Sequence, residues 1–276
     1  MSKSRKKGKG HARRSTLASR ADKHVLYERA VQCTEAEIDF VDATFKQRRQ
    51  RRASLLREDF CGTANSSCEW VCRRAANRAL GVDLDAEVQQ WGRDHHIAGL
   101  NKAQQERIEL ICADVMEVET EPVDIVLAMN FSYWIFKERA TLRRYFERVY
   151  EALVDDGMFF LDCFGGYEAF DERKEKHAYD GFTYVWDQAR YNPITGDYRC
   201  KIHFKFKDGS RLKNAFVYDW RLWTLPELTE MLAEVGFRAA VYWEGTDKKG
   251  EGNGVYTRTR QGEADPAWIA YIVAEK

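Results

Sequence analysis

The sequence predicts an α/β fold: a mostly parallel seven-stranded sheet with helices on both faces and a small antiparallel insert after the fifth strand. Three observations carry that prediction. Short continuous apolar runs at residues 55–60, 78–83, 108–112, 123–129 and 158–164 alternate with helix-like segments, the pattern of parallel strands buried on both sides. Leu142, Tyr145, Phe146, Val149 and Leu153 recur at helical spacing until Asp155, Asp156 and Gly157 stop the run. Tyr198, Cys200, Ile202, Phe204 and Phe206 alternate with Arg199, Lys201, His203, Lys205 and Lys207, a period of two that belongs to an antiparallel strand with one apolar and one basic face.

The elements follow in order. Residues 1–21 are expected to form a disordered basic arm, because the first twenty contain no acid and almost no large apolar group to offset their chain entropy. A single domain is expected over 22–276. Val25, Leu26, Ala30 and Val31 keep helical spacing, and Thr34 with Glu37 forms a capping box ahead of Ile38, Val41 and Phe45, so helices fill 22–53. The KQRRQRR run that closes them suits the negative end of a helix dipole. Helices at 65–76 and 86–95 separate the first three strands. The insert spans 165–223, with strands at 182–190, 198–207 and 211–220 and Asp208-Gly209 as a hairpin turn. A second capping box, Thr224 with Glu227, opens a helix that Gly236 ends, and 237–243 and 268–274 complete the main sheet around a polar, glycine-rich loop at 245–254.

Composition narrows the function. At 44% apolar and 32% charged residues the chain is globular, no run approaches a membrane span, and no apolar segment follows the basic N-terminus, so neither secretion nor membrane insertion is expected. Seven cysteines, an odd number without a CxxC pair, point to a reduced cytoplasmic protein with no metal site. The net charge is zero but segregated: residues 1–57 carry sixteen Lys and Arg against six acids, the rest 28 against 38. A basic arm of this kind can hold nucleic acid through its phosphates.

In a parallel α/β sheet the ligand crevice lies beyond the carboxyl ends of the strands. The first strand ends in Glu58-Asp59-Phe60-Cys61-Gly62-Thr63-Ala64, a small-residue turn into a helix. The second ends at Asp83 and Leu84, a carboxylate about twenty residues after that turn, the spacing at which an acid meets a ribose diol. The third ends at Asp114 and Val115, and the fourth in Asn130-Phe131-Ser132-Tyr133-Trp134. A dinucleotide site would want G-x-G-x-x-G, and no P-loop motif occurs.

On these residues the chain resembles the class I S-adenosylmethionine-dependent methyltransferases, over about 55–163 and again over 224–275. Their first motif is commonly D-x-G-C-G-T-G, and here Phe60 and Ala64 stand at two of its glycines. The resemblance implies a Rossmann-like fold, S-adenosylmethionine as cofactor and S-adenosylhomocysteine as product. It implies that Glu58, Cys61, Gly62, Thr63 and Asn130 bind the cofactor, with Asp83 and Leu84 at its ribose and Asp114 and Val115 at its adenine. Asn130 and Tyr133, an N-x-x-Y pair without the prolines of the related N-P-P-Y motif, are the expected catalytic residues.

The insert is the expected cover of the acceptor site. Residues 182–223 contain eleven aromatics. Trp186, Tyr218, Arg221, Trp134 and, from the first helix, Tyr27 are the candidate substrate contacts. A small organic acceptor is expected; the alternative is an RNA, DNA or protein target held by the basic arm.

Overall fold

The computed structural model describes residues 15–248 and 252–276. Three helices lead in: α1 (Leu17–Arg20), α2 (Lys23–Val31) and α3 (Thr34–Arg49). Then β1 (Leu55–Asp59), α4 (Asn65–Arg73), β2 (Arg78–Asp83), α5 (Ala86–His95), α6 (Lys102–Gln105), β3 (Ile108–Cys112), β4 (Val123–Ala128), α7 (Arg139–Ala152) and β5 (Leu153–Gly165) build the predicted alternation. The insert is a four-stranded antiparallel sheet, β6 (Lys174–Tyr179), β7 (Phe182–Tyr191), β8 (Asp197–Phe206) and β9 (Arg211–Arg221). After it come α8 (Leu225–Val235), β10 (Arg238–Thr246), β11 (Gly252–Thr259) and β12 (Trp268–Glu275).

The main sheet runs β11-β10-β12-β5-β4-β1-β2-β3, parallel from β5 to β3 and antiparallel from β5 through β12 and β10 to β11. It has eight strands where the sequence predicted seven. The extra one, β11, lies in and beyond the stretch read as a surface loop; it is an exposed edge strand whose GNG start gives no apolar period, so pairing with β10, not burial, makes it a strand. β6 was likewise missed, since its pattern Lys-Glu-Lys-His is polar on both faces.

Chain order reverses between β1 and β4, so the carboxyl ends of β1, β2 and β4 open onto one crevice. One face of the sheet packs on α7 and α8 through Leu142, Tyr145, Phe146, Val149, Leu228 and Leu232, the other on α3 and α4 through Ile38, Val41, Phe45, Trp70 and Val71. At the floor of the crevice Arg57 is only 1% exposed and pairs with Asp59 at 2.7 Å, and the Tyr145 hydroxyl donates to the same carboxylate at 2.8 Å. Breaking one partner of such a pair costs far more than the pair contributes.

The boundary at residue 21 needs correcting. Residues 15–21 are not a tail: the Leu17 and Ala18 amides donate to Asp208 Oδ2 at 2.8 Å and Ser210 Oγ at 3.1 Å, which docks α1 on the β8–β9 turn. Two backbone donors find acceptors there, so composition alone was the wrong guide. The remainder of the expected arm, 1–14, lies outside the described residues. α2 then lies across the insert's inner face, with Leu26 and Tyr27 packed among Phe182, Ile202, Phe204, Phe216 and Tyr218.

Candidate functional site

The turn after β1 is held from three sides. Cys61, 4% exposed, donates its amide to the Val82 carbonyl at 3.0 Å, Gly62 donates to Asp83 Oδ2 at 2.8 Å, and the Thr63 hydroxyl donates to Glu28 of α2 at 2.8 Å. Glu28 also meets His96 at 2.7 Å, so α2 is clamped to this turn. Phe60, Gly62 and Ala64 all adopt positive φ, at 58°, 51° and 58°. The two glycine positions of the motif that Phe60 and Ala64 fill therefore keep the left-handed backbone glycine favours, at roughly 1–2 kcal/mol for each non-glycine residue. Glu58 faces the other way and accepts from the Ser67 amide at 2.9 Å and hydroxyl at 2.6 Å, at the N-terminal turns of α4. Burial pushes its carboxyl up to about 7 against those bonds.

Asp83 is half-buried at the tip of β2, and its Oδ1 accepts from the Asp85 amide at 2.9 Å. The helix cap is Asp85, which accepts from Glu87 and Val88, so Asp83 is free of that duty. Leu84 beside it is 67% exposed. Asp114 Oδ1 accepts from the Met116 amide at 2.9 Å and closes a turn, and the Val115 side chain is buried in the core under it.

The turn after β4 depends on a residue that the sequence reading missed. Asn130 and Phe131 both have positive φ, 59° and 57°, and their amides donate to the two oxygens of Asp162 at 2.8 and 2.9 Å. Asp162 is 6% exposed in the middle of β5, and burial raises its carboxyl to about 7 although both amides pull it down. Its signal was a lone acid inside the apolar run MFFLDCF. Glu37, half-buried at the start of α3, is also raised to about 7, first by burial and then by Asp162, and Glu37 in turn raises Glu58. The three carboxyls are thus coupled into one acidic cluster that keeps part of its protons near neutrality.

Asn130 and Phe131 open into a cavity of about 450 Å³. Tyr27 from α2, Tyr184 and Trp186 from β7, Ile202 from β8, Tyr218 and Trp220 from β9, and Trp268 from β12 supply most of its wall, with Glu175, His177, Gln188 and Glu244 as polar members. Tyr218 and Trp220 stack at 4.3 Å. Of the expected contacts, Asn130, Tyr27, Trp186 and Tyr218 meet here.

Three others do not. Tyr133 has no exposure and donates its hydroxyl to the Asp162 carbonyl at 2.6 Å; burial raises its phenol well above the ordinary value, so it is a strut of the core and not a catalytic group. Trp134 is equally buried and packs behind the wall on Phe164 and Trp220. Both turn inward because the 3-10 turn after Phe131 (Ser132–Ile135) buries its two middle residues, a reversal that the sequence does not announce. Arg221 points away from the cavity: it pairs with Glu227 at 3.0 Å, donates to the Lys137 carbonyl and lies 3.8 Å over the Trp223 ring. The acid four residues into the capping box claims it.

No protein-family model and no curated protein matches the chain. Solved structures do. The chain is similar to an S-adenosylmethionine-dependent methyltransferase from Clostridium acetobutylicum, at 17% identity and a TM-score of 0.67 over 91% of this chain and 96% of that one. An amino pentose methyltransferase from Micromonospora echinaspora, solved with S-adenosylmethionine, is similar at 15% identity and a TM-score of 0.65, covering 92% and 96%. A sugar N-methyltransferase from Streptoalloteichus matches at 18% identity and a TM-score of 0.62, covering 100% and 98%. The fold is the Rossmann-like methyltransferase fold, insert included.

Proposed function

We propose that the protein transfers a methyl group from S-adenosylmethionine to an amino group of a small organic acceptor. The single observation that carries this reading is the meeting of Asn130, just past β4 and next to the β1 end, with a small aromatic cavity closed by the insert. At about 450 Å³ that cavity suits a small molecule and not a macromolecular chain. The aromatic wall with Glu175 and Glu244 in it favours a cationic amine, which aromatic faces and carboxylates attract together. The similarity to a sugar N-methyltransferase supports the same class.

The chain's own groups fit the cofactor. The left-handed turn at 60–64 leaves the backbone open to close approach, Asp83 offers its remaining lone pairs to a ribose diol, and the acidic Glu37 and Asp162, with Glu58 behind them, suit the cofactor's positive methionyl end. When bound, the cofactor would supply an already electrophilic methyl; the amine attacks through a free lone pair, so a bound ammonium must first give up a proton, for which Glu175 and Glu244 are the carboxylates of the wall, while Asn130 and the aromatic residues hold the nitrogen at attack distance.

Two expected results test the assignments. Trp186→Ala should raise the acceptor KM or lower kcat by about tenfold or more with cofactor affinity unchanged, since Trp186 lines only the cavity. Arg221→Ala, by contrast, should leave both kinetic constants near wild type and only lower the melting temperature. Steady-state kinetics that reverse this order would place the acceptor site elsewhere.

The second concerns pH. Carboxyls raised to about 7 in the free protein are partly protonated at neutrality. A cation arriving beside them lowers those values and expels protons, so cofactor affinity should rise with pH through about 7, by up to about tenfold per pH unit for each proton released. For folding the sign is opposite: a carboxyl raised above its unfolded value stabilises most below about 4.5, and that contribution is lost as pH rises through about 7. Free protein should therefore melt lower at pH 8 than its other groups alone would dictate. Calorimetric titration in buffers of different ionisation enthalpy reads the protons directly. Zero net release near pH 7, with flat affinity from pH 6 to 8, would remove the acidic cluster from the cofactor site.

A further inference from the structure

The insert has a second face that the cavity does not use. β8 turns Tyr198, Cys200, Ile202 and Phe204 inward, which sends Arg199, Lys201, His203 and Lys205 outward. Register extends this outer face: Lys201 lies between Asp187 and Val217, Asp187 opposite Lys174, Val185 between His203 and Lys176, and Lys205 opposite Arg211. Lys174 and His203 share Asp187, at 2.7 and 3.0 Å. Lys176, Arg199, Lys201, Lys205 and Arg211 have no ion-pair partner among the described residues. Desolvation and the like charges of Lys176, Arg211 and Lys174 hold the Lys205 ammonium below its ordinary value, the mark of crowded cations.

Outward positions along β8 repeat roughly every 6.8 Å, so Arg199 and Lys201 are neighbours and Lys205 follows beyond the paired His203. Across the strands Arg199 lies beside Arg190 and Lys205 beside Arg211, while Lys201 is flanked by Asp187 and Val217 and the other side of Arg199 by Asp219. The protein as a whole carries no net charge, so this face is a local excess and not a general basicity. The same end of the sheet receives the N-terminal chain. Residues 1–14 hold seven Lys and Arg and no acid, and they join at Ser15, just before the Leu17 and Ala18 amides dock on Asp208 and Ser210 between Lys205 and Arg211.

We propose that the outer face of the insert is a docking surface for a single nucleic-acid strand, held through its phosphates. A strand presents regularly repeated anions that a row of unpaired cations can neutralise with release of counterions. A membrane would want apolar anchors, and among the described residues Val217 is the one large apolar side chain exposed on this face. Because the aromatic residues of the same strands face the cavity on the opposite side, a strand held here is not the methyl acceptor. The surface stations the protein on a nucleic acid while the cavity handles a small molecule, and it does not depend on how the cavity is read.

The test uses the full chain and a fluorescent single-stranded RNA in anisotropy titrations at several salt concentrations. Binding should weaken linearly in log salt. Combined Lys176→Glu, Lys201→Glu and Lys205→Glu should weaken it at least tenfold and flatten the salt slope by about 2, three contacts at ~0.7 each. Combined Gln substitutions at the same positions should give the smaller loss of a charge removed and not reversed, which keeps the test valid should the Glu variant misfold. No binding at low salt would overturn the proposal. So would undiminished binding by the folded variants, whether or not deleting residues 1–14 abolishes it, since the arm alone would then hold the strand. Equal binding to phosphatidylserine vesicles with loss on Val217→Ser would also overturn it, in favour of a lipid surface.

Discussion

Asp162→Asn should lower turnover about 100-fold with the protein still folded. The carboxylate spends both oxygens on the Asn130 and Phe131 amides, two consecutive non-glycine residues in left-handed backbone, each roughly 1–2 kcal/mol less favourable there than in a relaxed conformation. An amide side chain has one acceptor oxygen and presents an N–H to the other amide. One donor is then left buried without a partner, at about 1–3 kcal/mol, and the turn has reason to relax. Asn130 is the residue nearest the β4 end on the cavity wall, and a displacement of about 1 Å at such a position costs on the order of 100-fold in rate. Asp162→Ala strands both amides and should also lower the melting temperature by several degrees. Because Asp162 both holds Asn130 and belongs to the acidic cluster proposed at the cofactor's positive end, the deficit should appear in kcat and acceptor KM together with a weaker cofactor affinity. A folded Asp162→Asn enzyme with normal kcat and KM would show that the turn holds itself.

This dependence explains what the sequence could and could not disclose. The strands β1 to β5 and the crevice at their carboxyl ends were legible because burial on both faces writes a continuous apolar run, and because an acid after β2 at a fixed distance from a small-residue turn has few other uses. Asn130 could be singled out for the same reason, since it stands just past a strand whose end is easy to see, and it lines the cavity. Asp162 was not, since an acid inside a buried strand declares only that it has partners, and those partners are backbone amides 31 and 32 residues away. Tyr133 and Trp134 were placed in the site because they follow Asn130, yet the 3-10 turn rotates both into the core. Side-chain direction in a short irregular turn depends on two backbone angles that no composition fixes. Arg221 failed for a simpler cause: Glu227, six residues on, completes both a capping box and an ion pair. β6 and β11 lie at sheet edges, where hydrogen bonding to one neighbour makes a strand without any apolar period.

The last expected result separates Asp83, the proposed ribose acid, from its neighbour. Asp83→Ala should weaken S-adenosylmethionine binding about 10- to 150-fold, the equivalent of roughly 1.5–3 kcal/mol of charge-assisted hydrogen bonding. Part of that loss comes from the protein itself: Asp83 Oδ2 accepts from the Gly62 amide, so the variant also frees the turn that the cofactor needs. Asp83→Asn retains an acceptor for Gly62 but loses the charge, and should fall between the two. Asp85→Ala is the control. Asp85 caps α5 through the Glu87 and Val88 amides, two residues from Asp83 in sequence, so its loss should cost about 1 kcal/mol of stability with cofactor affinity intact. Calorimetric titration and thermal melts on the same three proteins decide it. If Asp83→Ala binds cofactor as the wild type does while Asp85→Ala does not, the acid at the ribose is the second of the pair, and the β2 tip reaches one residue further into the crevice than its strand bonds imply.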